Sequence, residues 1–140
     1  MSTFEVIPGD AASSVVLHIP HSSTHIPADV RAGIVLGDAE LGAELAAITD
    51  SDTDVVGQGA ADLAGLRPWI FVNRASRLVV DPERFPDERE ELNDIGMGAV
   101  YESTTDLGVL RTPSEAERDA LLDEFYTPYA EGIAQLVRDR

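Results

Sequence analysis

Three groups of residues in this 140-residue chain have types and spacings that could do chemistry. The first is His21 with Ser22, Ser23 and Thr24, set directly after the β-branched run at 15–19 (VVLHI). An imidazole in a loop at the carboxyl end of a buried strand sits where open α/β sheets gather their ligands. It also suits a borderline metal such as zinc. The plainer alternative is a loop histidine bonded to a nearby backbone carbonyl. His18 lies inside the strand and faces away from the side used by Leu17, so it reads as a satisfied interior or edge histidine. His25 reads as an exposed loop residue, and neither joins the candidate site.

The second group is Asp50, Asp52 and Asp54. On one helix, Asp50 and Asp54 would project from the same face, with Asp52 pointing elsewhere. Like charges at that spacing destabilise a helix slightly, and a nearby cation would relieve the repulsion. In so acidic a chain they could equally be a solvated face. The third group is Asn73, Arg74, Arg77, Asp81 and Arg84. Guanidinium groups near strand ends can clamp a carboxylate bidentately, or pair with an acidic surface, Arg77 with Asp81 for instance.

The elements that must position these groups follow from periodicity and punctuation. The run at 15–19, closed by Pro20, predicts a buried strand feeding the polar loop 21–27. Behind Asp38 as a cap, Leu41, Leu45 and Ile48 fall at helical spacing. That helix is expected to run through Asp54 and Val55 and to fade in the Gly/Ala-rich stretch 57–65. Residues 69–72 (WIFV) and 78–80 (LVV) predict two more strands. The stretch 82–98 is an acidic connection with one helical turn at about 88–92. Thr112-Pro113-Ser114-Glu115 predicts a helix start capped by Thr112. Leu122, Phe125, Tyr129, Ile133 and Leu136 make one apolar stripe on that helix, and Pro128 should kink it. Strands alternating with helices give an α/β sandwich with a partly parallel sheet.

Composition narrows the function classes. The length is that of one domain, 1–140, with 44% hydrophobic residues to build a core. A formal charge of −16, with Arg as the sole basic residue type, gives a field of the wrong sign for nucleic acid or anionic membrane. There is no Cys, hence no disulfide framework and no thiolate nucleophile or ligand. Residues 1–9 lack the basic flank and apolar stretch of a signal peptide, and no apolar run approaches the ~20 residues of a membrane span. A soluble, cytoplasmic protein without nucleic-acid or membrane partners is the expectation.

The order of the three groups is distinctive. Ile19-Pro20-His21-Ser22, followed by a small or hydroxyl residue, resembles the IPHSG-type signature of the N-formylglutamate amidohydrolase family. Residues 50–54 (DSDTD) resemble its D-x-x-x-D segment, and 76–81 (SRLVVD) with Arg84 resemble its SRYVVDxNR segment. Gly96-Met97-Gly98 and Ser103-Thr104-Thr105 fall where the family has a Gly- and Thr-rich substrate loop, and Tyr126-Thr127-Pro128-Tyr129 is similar to a recurrent kinked helix. The resemblance runs from about residue 15 to the C-terminus.

The resemblance implies a three-layer α/β sandwich with a mostly parallel mixed sheet, related to the zinc-exopeptidase (phosphorylase/hydrolase-like) fold. It implies one zinc, with His21 as first ligand and either Asp54 or Asp50 as the carboxylate ligand. Arg77 and Arg84 become candidates for binding substrate carboxylates, with Asp81 orienting one of them and Asn73 and Ser22 beside the substrate. The implied reaction is hydrolysis of the amide of N-formylglutamate or a similar small N-acyl acidic amino acid, a step of histidine degradation. The family pattern continues to a D-x-H-S motif and a later Glu suited to general-base work, both beyond Arg140. The chain therefore reads as the N-terminal part of a longer amidohydrolase domain, with two expected ligands where a catalytic zinc takes three. As a fragment it would leave a sheet edge uncovered, which favours self-association. Ser23, where Gly is commoner, points to a subgroup with a different substrate. The competing readings are an incomplete family member that binds a carboxylate through Arg77 and Arg84 without turnover, and an acidic interaction module.

Overall fold

Strand β3 (Trp69–Asn73) is apolar at every position but its last, so both of its faces must be covered, and it takes the centre of the sheet. The computed structural model describes residues 3–140. β3 pairs in parallel with β2 (Val16–Ile19), from Val16 opposite Trp69 to Ile19 opposite Val72. On its other edge it pairs antiparallel with β1 (Phe4–Ile7), from Phe4 opposite Asn73 to Ile7 opposite Ile70. The sheet is thus mixed, with one parallel and one antiparallel pair rather than a mostly parallel set. β1 escapes sequence reading because four residues carry too little periodicity; pairing with β3 makes it a strand.

Side chains alternate across β3 and so separate two cores. Ile70 and Val72 face Ile19 and Ala61 of α3 (Thr53–Leu63). Phe71 faces Tyr129 and Leu136 of the C-terminal helix, with Phe4, Val6, Val16 and Trp69 around them. Helices therefore cover both faces of the sheet, as a three-layer sandwich requires. The crossover from β2 to β3 runs through α1 (Ala28–Ala32), α2 (Asp38–Ile48) and α3. No helix among the described residues is long and apolar enough to cross a membrane.

Two elements differ from expectation in ways that matter to the site. The helix expected to run unbroken through Asp54 stops at Ile48 and restarts at Thr53. Asp52 at the break has φ 64°, a left-handed conformation that Asp tolerates better than most residues. The Asp50 amide turns back to donate to the His21 carbonyl at 3.0 Å, and the Asp50 carbonyl accepts from the Thr53 hydroxyl at 2.8 Å. Separating the three carboxylates also removes the like-charge crowding of a continuous helix.

Residues 78–80 form no strand. Leu78, Val79 and Val80 are buried in a turn, split between two apolar clusters. A short apolar run signals burial, and periodicity alone cannot make it a strand. The buried Arg111 does what a neighbouring strand would: its guanidinium donates to the carbonyls of Leu78 (2.6 Å), Val79 (3.0 Å) and Tyr101 (2.7 Å).

In the acidic connection the helical turn is a 3-10 segment at Glu91–Ile95, three residues later than expected. At the C-terminus, α4 (Glu115–Leu121) is capped by Ser114 rather than Thr112; the Ser114 hydroxyl accepts from the Glu117 amide, and the Glu117 carboxylate accepts in return. Both positions fit the S/T-x-x-E rule, and the second one is used. Upstream of Pro128 the helix takes one π turn (Leu122–Tyr126) before α5 (Thr127–Asp139). Proline has no N–H to donate and its ring crowds the carbonyl four residues back, which is where the widened turn lies. The predicted apolar stripe holds, with Phe125, Tyr129 and Leu136 buried.

Candidate functional site

His21 follows β2 by two residues and is almost wholly buried, at 4% exposure. Its loop is held by Asn73 at the end of β3, whose amide donates to the Pro20 carbonyl at 3.0 Å while its side-chain oxygen accepts from the Ala75 amide at 3.1 Å. Asn73 thus shapes the loop that carries His21. Ser22 is half-buried beside His21.

The two nitrogens of His21 have different partners. Nε2 lies 2.9 Å from Oδ1 of Asp81, which is fully buried. Nδ1 faces Asp50 Oδ2 at 3.4 Å and Glu83 Oε2 at 3.7 Å. Asp81 is the hub of the site. Its Oδ1 also accepts the Glu83 amide at 3.1 Å, and its Oδ2 accepts from Arg77 Nε (3.1 Å), Arg77 Nη2 (2.6 Å) and the Tyr101 hydroxyl (2.8 Å). Burial alone would push the Asp81 carboxyl up; the hydrogen bond and charge of His21, and then Arg77, outweigh it and hold the carboxyl well below the usual range. The same burial, with the Asp81 charge, pushes the Tyr101 phenol up to about 12, so it stays a donor. In the neutral form of the ring, ionised Asp81 would hold the hydrogen on Nε2, an assignment made from its partners, and Nδ1 is the nitrogen turned toward Asp50 and Glu83.

The arginines divide. Arg77 is taken up by Asp81, whose charge outweighs burial and raises the arginine's pKa. Arg84 lies farther off, with Nε 3.7 Å from Asp81 Oδ2, and that Nε is buried without a hydrogen bond. Asp54, expected beside Asp50 on a helix face, instead opens α3 and lines a groove with Ile7, Ile19 and Gln58. Among the described residues it makes no hydrogen bond or ion pair with His21.

Glu83 and Tyr101 escaped the sequence reading. Glu83 carried a signal, because it stands at the Asn position of the SRYVVDxNR pattern; Tyr101, twenty residues from Asp81, carried none. His18, set aside as a satisfied histidine, is satisfied: its Nε2 lies 2.6 Å from the Tyr129 hydroxyl. Its Nδ1, however, lies 3.9 Å from Glu83 Oε1, so it borders the site.

An imidazole nitrogen and a carboxylate oxygen suit zinc as donors. Two ligands of a tetrahedral zinc with bonds near 2 Å stand ~3.3 Å apart, close to the 3.4 Å between His21 Nδ1 and Asp50 Oδ2. Among the described residues, however, no three His, Asp or Glu side chains already close around a metal position. The pair fits an ion as part of a site.

Fold and site together define an α/β sandwich that presents a carboxylate-held imidazole at the end of a parallel strand. The chain belongs to the N-formylglutamate amidohydrolase family, whose model matches residues 13–140. Two solved structures share the fold. The N-formylglutamate amidohydrolase of Ralstonia eutropha JMP134 superposes with a TM-score of 0.80 at 21% identity, over 99% of this chain and 52% of that one. A gene product of Agrobacterium tumefaciens gives 0.76 at 21% identity, over 100% and 51%. The chain therefore spans about half the length of each. No curated protein matches it.

Proposed function

We propose that this chain supplies part of the active site of a zinc-dependent amidohydrolase acting on N-formylglutamate or a similar N-acyl acidic amino acid, on a frame related to that of the zinc exopeptidases. The observation that carries the reading is His21, with Nε2 tied to buried Asp81 and Nδ1 turned toward Asp50 at 3.4 Å. His21 and Asp50 would hold the ion, which would act as a Lewis acid on the amide carbonyl and lower the pKa of water beside it. Asp81 fixes the ring and its tautomer, and Arg77 and Tyr101 keep Asp81 ionised and in place. Arg84, with its unmatched Nε, is the guanidinium left to bind and align a substrate carboxylate.

That same Nε favours a second reading, in which the chain binds a carboxylate ligand without turnover. Formate release from N-formylglutamate separates the two, measured with and without a chelator. Turnover abolished by chelation and restored by zinc supports the first. Carboxylate binding without formate release would replace it with the second.

A further inference from the structure

Arg111 is a buried cation without a countercharge of its own. It is 3% exposed, and its Nε and Nη2 donate to the carbonyls of Tyr101, Leu78 and Val79, which are neutral dipoles. Among the described residues no Asp or Glu pairs with it, and Glu102, whose charge reaches it, is paired with Arg118. A buried charge is ordinarily met by an opposite one. Its Nη1 has no acceptor among the described residues. Nor is it sealed in the interior, as the unpartnered Thr3 Oγ1, Thr49 Oγ1 and Arg84 Nε are. Nη1 therefore opens on a space that a ligand can reach.

That space is a cavity of about 270 Å³ between α1 and α4, with Arg111 in its wall. Val30, Pro113 and Leu121 make its apolar side. Glu117 and Glu124, two turns apart on one face of the helix, and Asp29 of α1 make its acidic side. Glu117 is held by the Ser114 cap. Arg31 and Arg118, the arginines of the two helices, are committed to Asp38 and Glu102 and leave Asp29 and Glu124 free to meet another cation. His21, Asp50, Asp81 and Arg84 take no part in this cavity. A plain anion would be drawn to Arg111 and repelled by the carboxylates, and a plain cation would meet the reverse. A small molecule that carries both charges satisfies both sides.

We propose that this cavity binds a small aliphatic amino acid as its zwitterion. The ligand carboxylate meets Arg111 Nη1, the ammonium lies toward Asp29 and Glu124, and the hydrocarbon rests on Val30 and Leu121. The volume is at the small end of ligand pockets, which suits a ligand of a few carbons.

Leucine, 4-methylpentanoate and 3-methylbutylamine are the probes, because the second lacks the ammonium and the third the carboxylate. Titrated by calorimetry into the 140-residue chain, leucine should bind about tenfold or more tightly than either. Ala120→Trp, at an exposed position on the cavity wall, should abolish binding, and Glu124→Gln should weaken it severalfold. Melting temperatures of the ligand-free variants are the folding control, and both exposed substitutions should leave them unchanged. In NMR spectra leucine should move the Arg111 Nε–H signal and the amides of 29–33 and 117–124, and leave those of 20–24 in place. No binding of leucine, equal binding of the three probes, or wild-type affinity in Ala120→Trp would overturn the proposal. So would shifts confined to 20–24, which would put leucine beside His21 instead.

Discussion

Asp81 shows how one buried carboxylate can set the chemistry of a neighbour. Exposed ion pairs contribute little, but Asp81 has no solvent and accepts from His21, Arg77, Tyr101 and a backbone amide. Asp81→Asn would leave Arg77 without its countercharge and His21 without its carboxylate partner. Stability should fall by about 3–5 kcal/mol in urea titrations, and zinc affinity by about 10–100-fold. The folded-state pKa of Asp81 lies below that of the unfolded chain, so the unfolded state takes up the proton first as pH falls. Its stabilisation should be full above about pH 5 and decline below about pH 4. Asp81→Asn should lose that part of the acid dependence, read from urea midpoints at pH 3 to 7; identical acid profiles would remove the assignment. With N-formylglutamate as substrate, Arg84→Lys should lower kcat/KM by about tenfold, the equivalent of 1.4 kcal/mol of oriented contact. Unchanged kinetics would take Arg84 out of the site. His21, Asp81 and both arginines were legible as candidates in the sequence because their types and order are distinctive, whereas Asp50 was legible only as an alternative to Asp54. Which nitrogen of His21 is free was not legible, because that depends on Asp81 arriving from sixty residues away.

At the scale of elements, unpaired backbone is what the sequence hides. The run at 78–80 reads as a strand because its apolar residues are buried, yet its carbonyls are served by Arg111. Burial pushes that guanidinium down to about 10, with the Glu102 charge opposing, so it remains a cation at neutral pH. Arg111→Met should destabilise the fold by about 3 kcal/mol or more, since several buried carbonyls lose their donor at once. Arg111→Lys should rescue little, because an ammonium lacks the planar fork. Equal melting curves for Arg111→Met and wild type would mean that water replaces the guanidinium. The break after Ile48 was equally hidden: leucine spacing marks a helix face but does not show that the Asp50 amide is taken by the His21 carbonyl. That hydrogen bond brings Asp50, and not Asp54, to the imidazole. Helix α5 approaches the sheet closely at Gly132, where an added Cβ would stand 2.4 Å from the Phe4 ring, itself stacked on Phe71 at 4.6 Å. Gly132→Ala should cost about 1–3 kcal/mol through overpacking, seen as a lowered melting temperature. An unchanged one would show that Phe4 gives way.

For the whole molecule, the chain folds on a sheet of three strands and spans about half of its structural relatives. Large apolar side chains stand exposed on and after α3, with Leu63 at 90% and Val55, Val56 and Leu66 above half. The charge of −16 opposes association at low ionic strength. Sedimentation velocity should therefore show self-association that grows with protein concentration and with added salt. A monomer at high salt and high concentration would show that this face needs no cover.

The proposed zinc lies at the end of β2, between His21 and Asp50. Its most direct test is an anomalous difference map at the zinc edge, from crystals of the chain grown with zinc. The strongest peak is expected within about 2.5 Å of both His21 Nδ1 and the Asp50 carboxylate, with Asp81 still on Nε2. Zinc bound at His25, or at Asp52 and Asp54 with His21 bare, would contradict it.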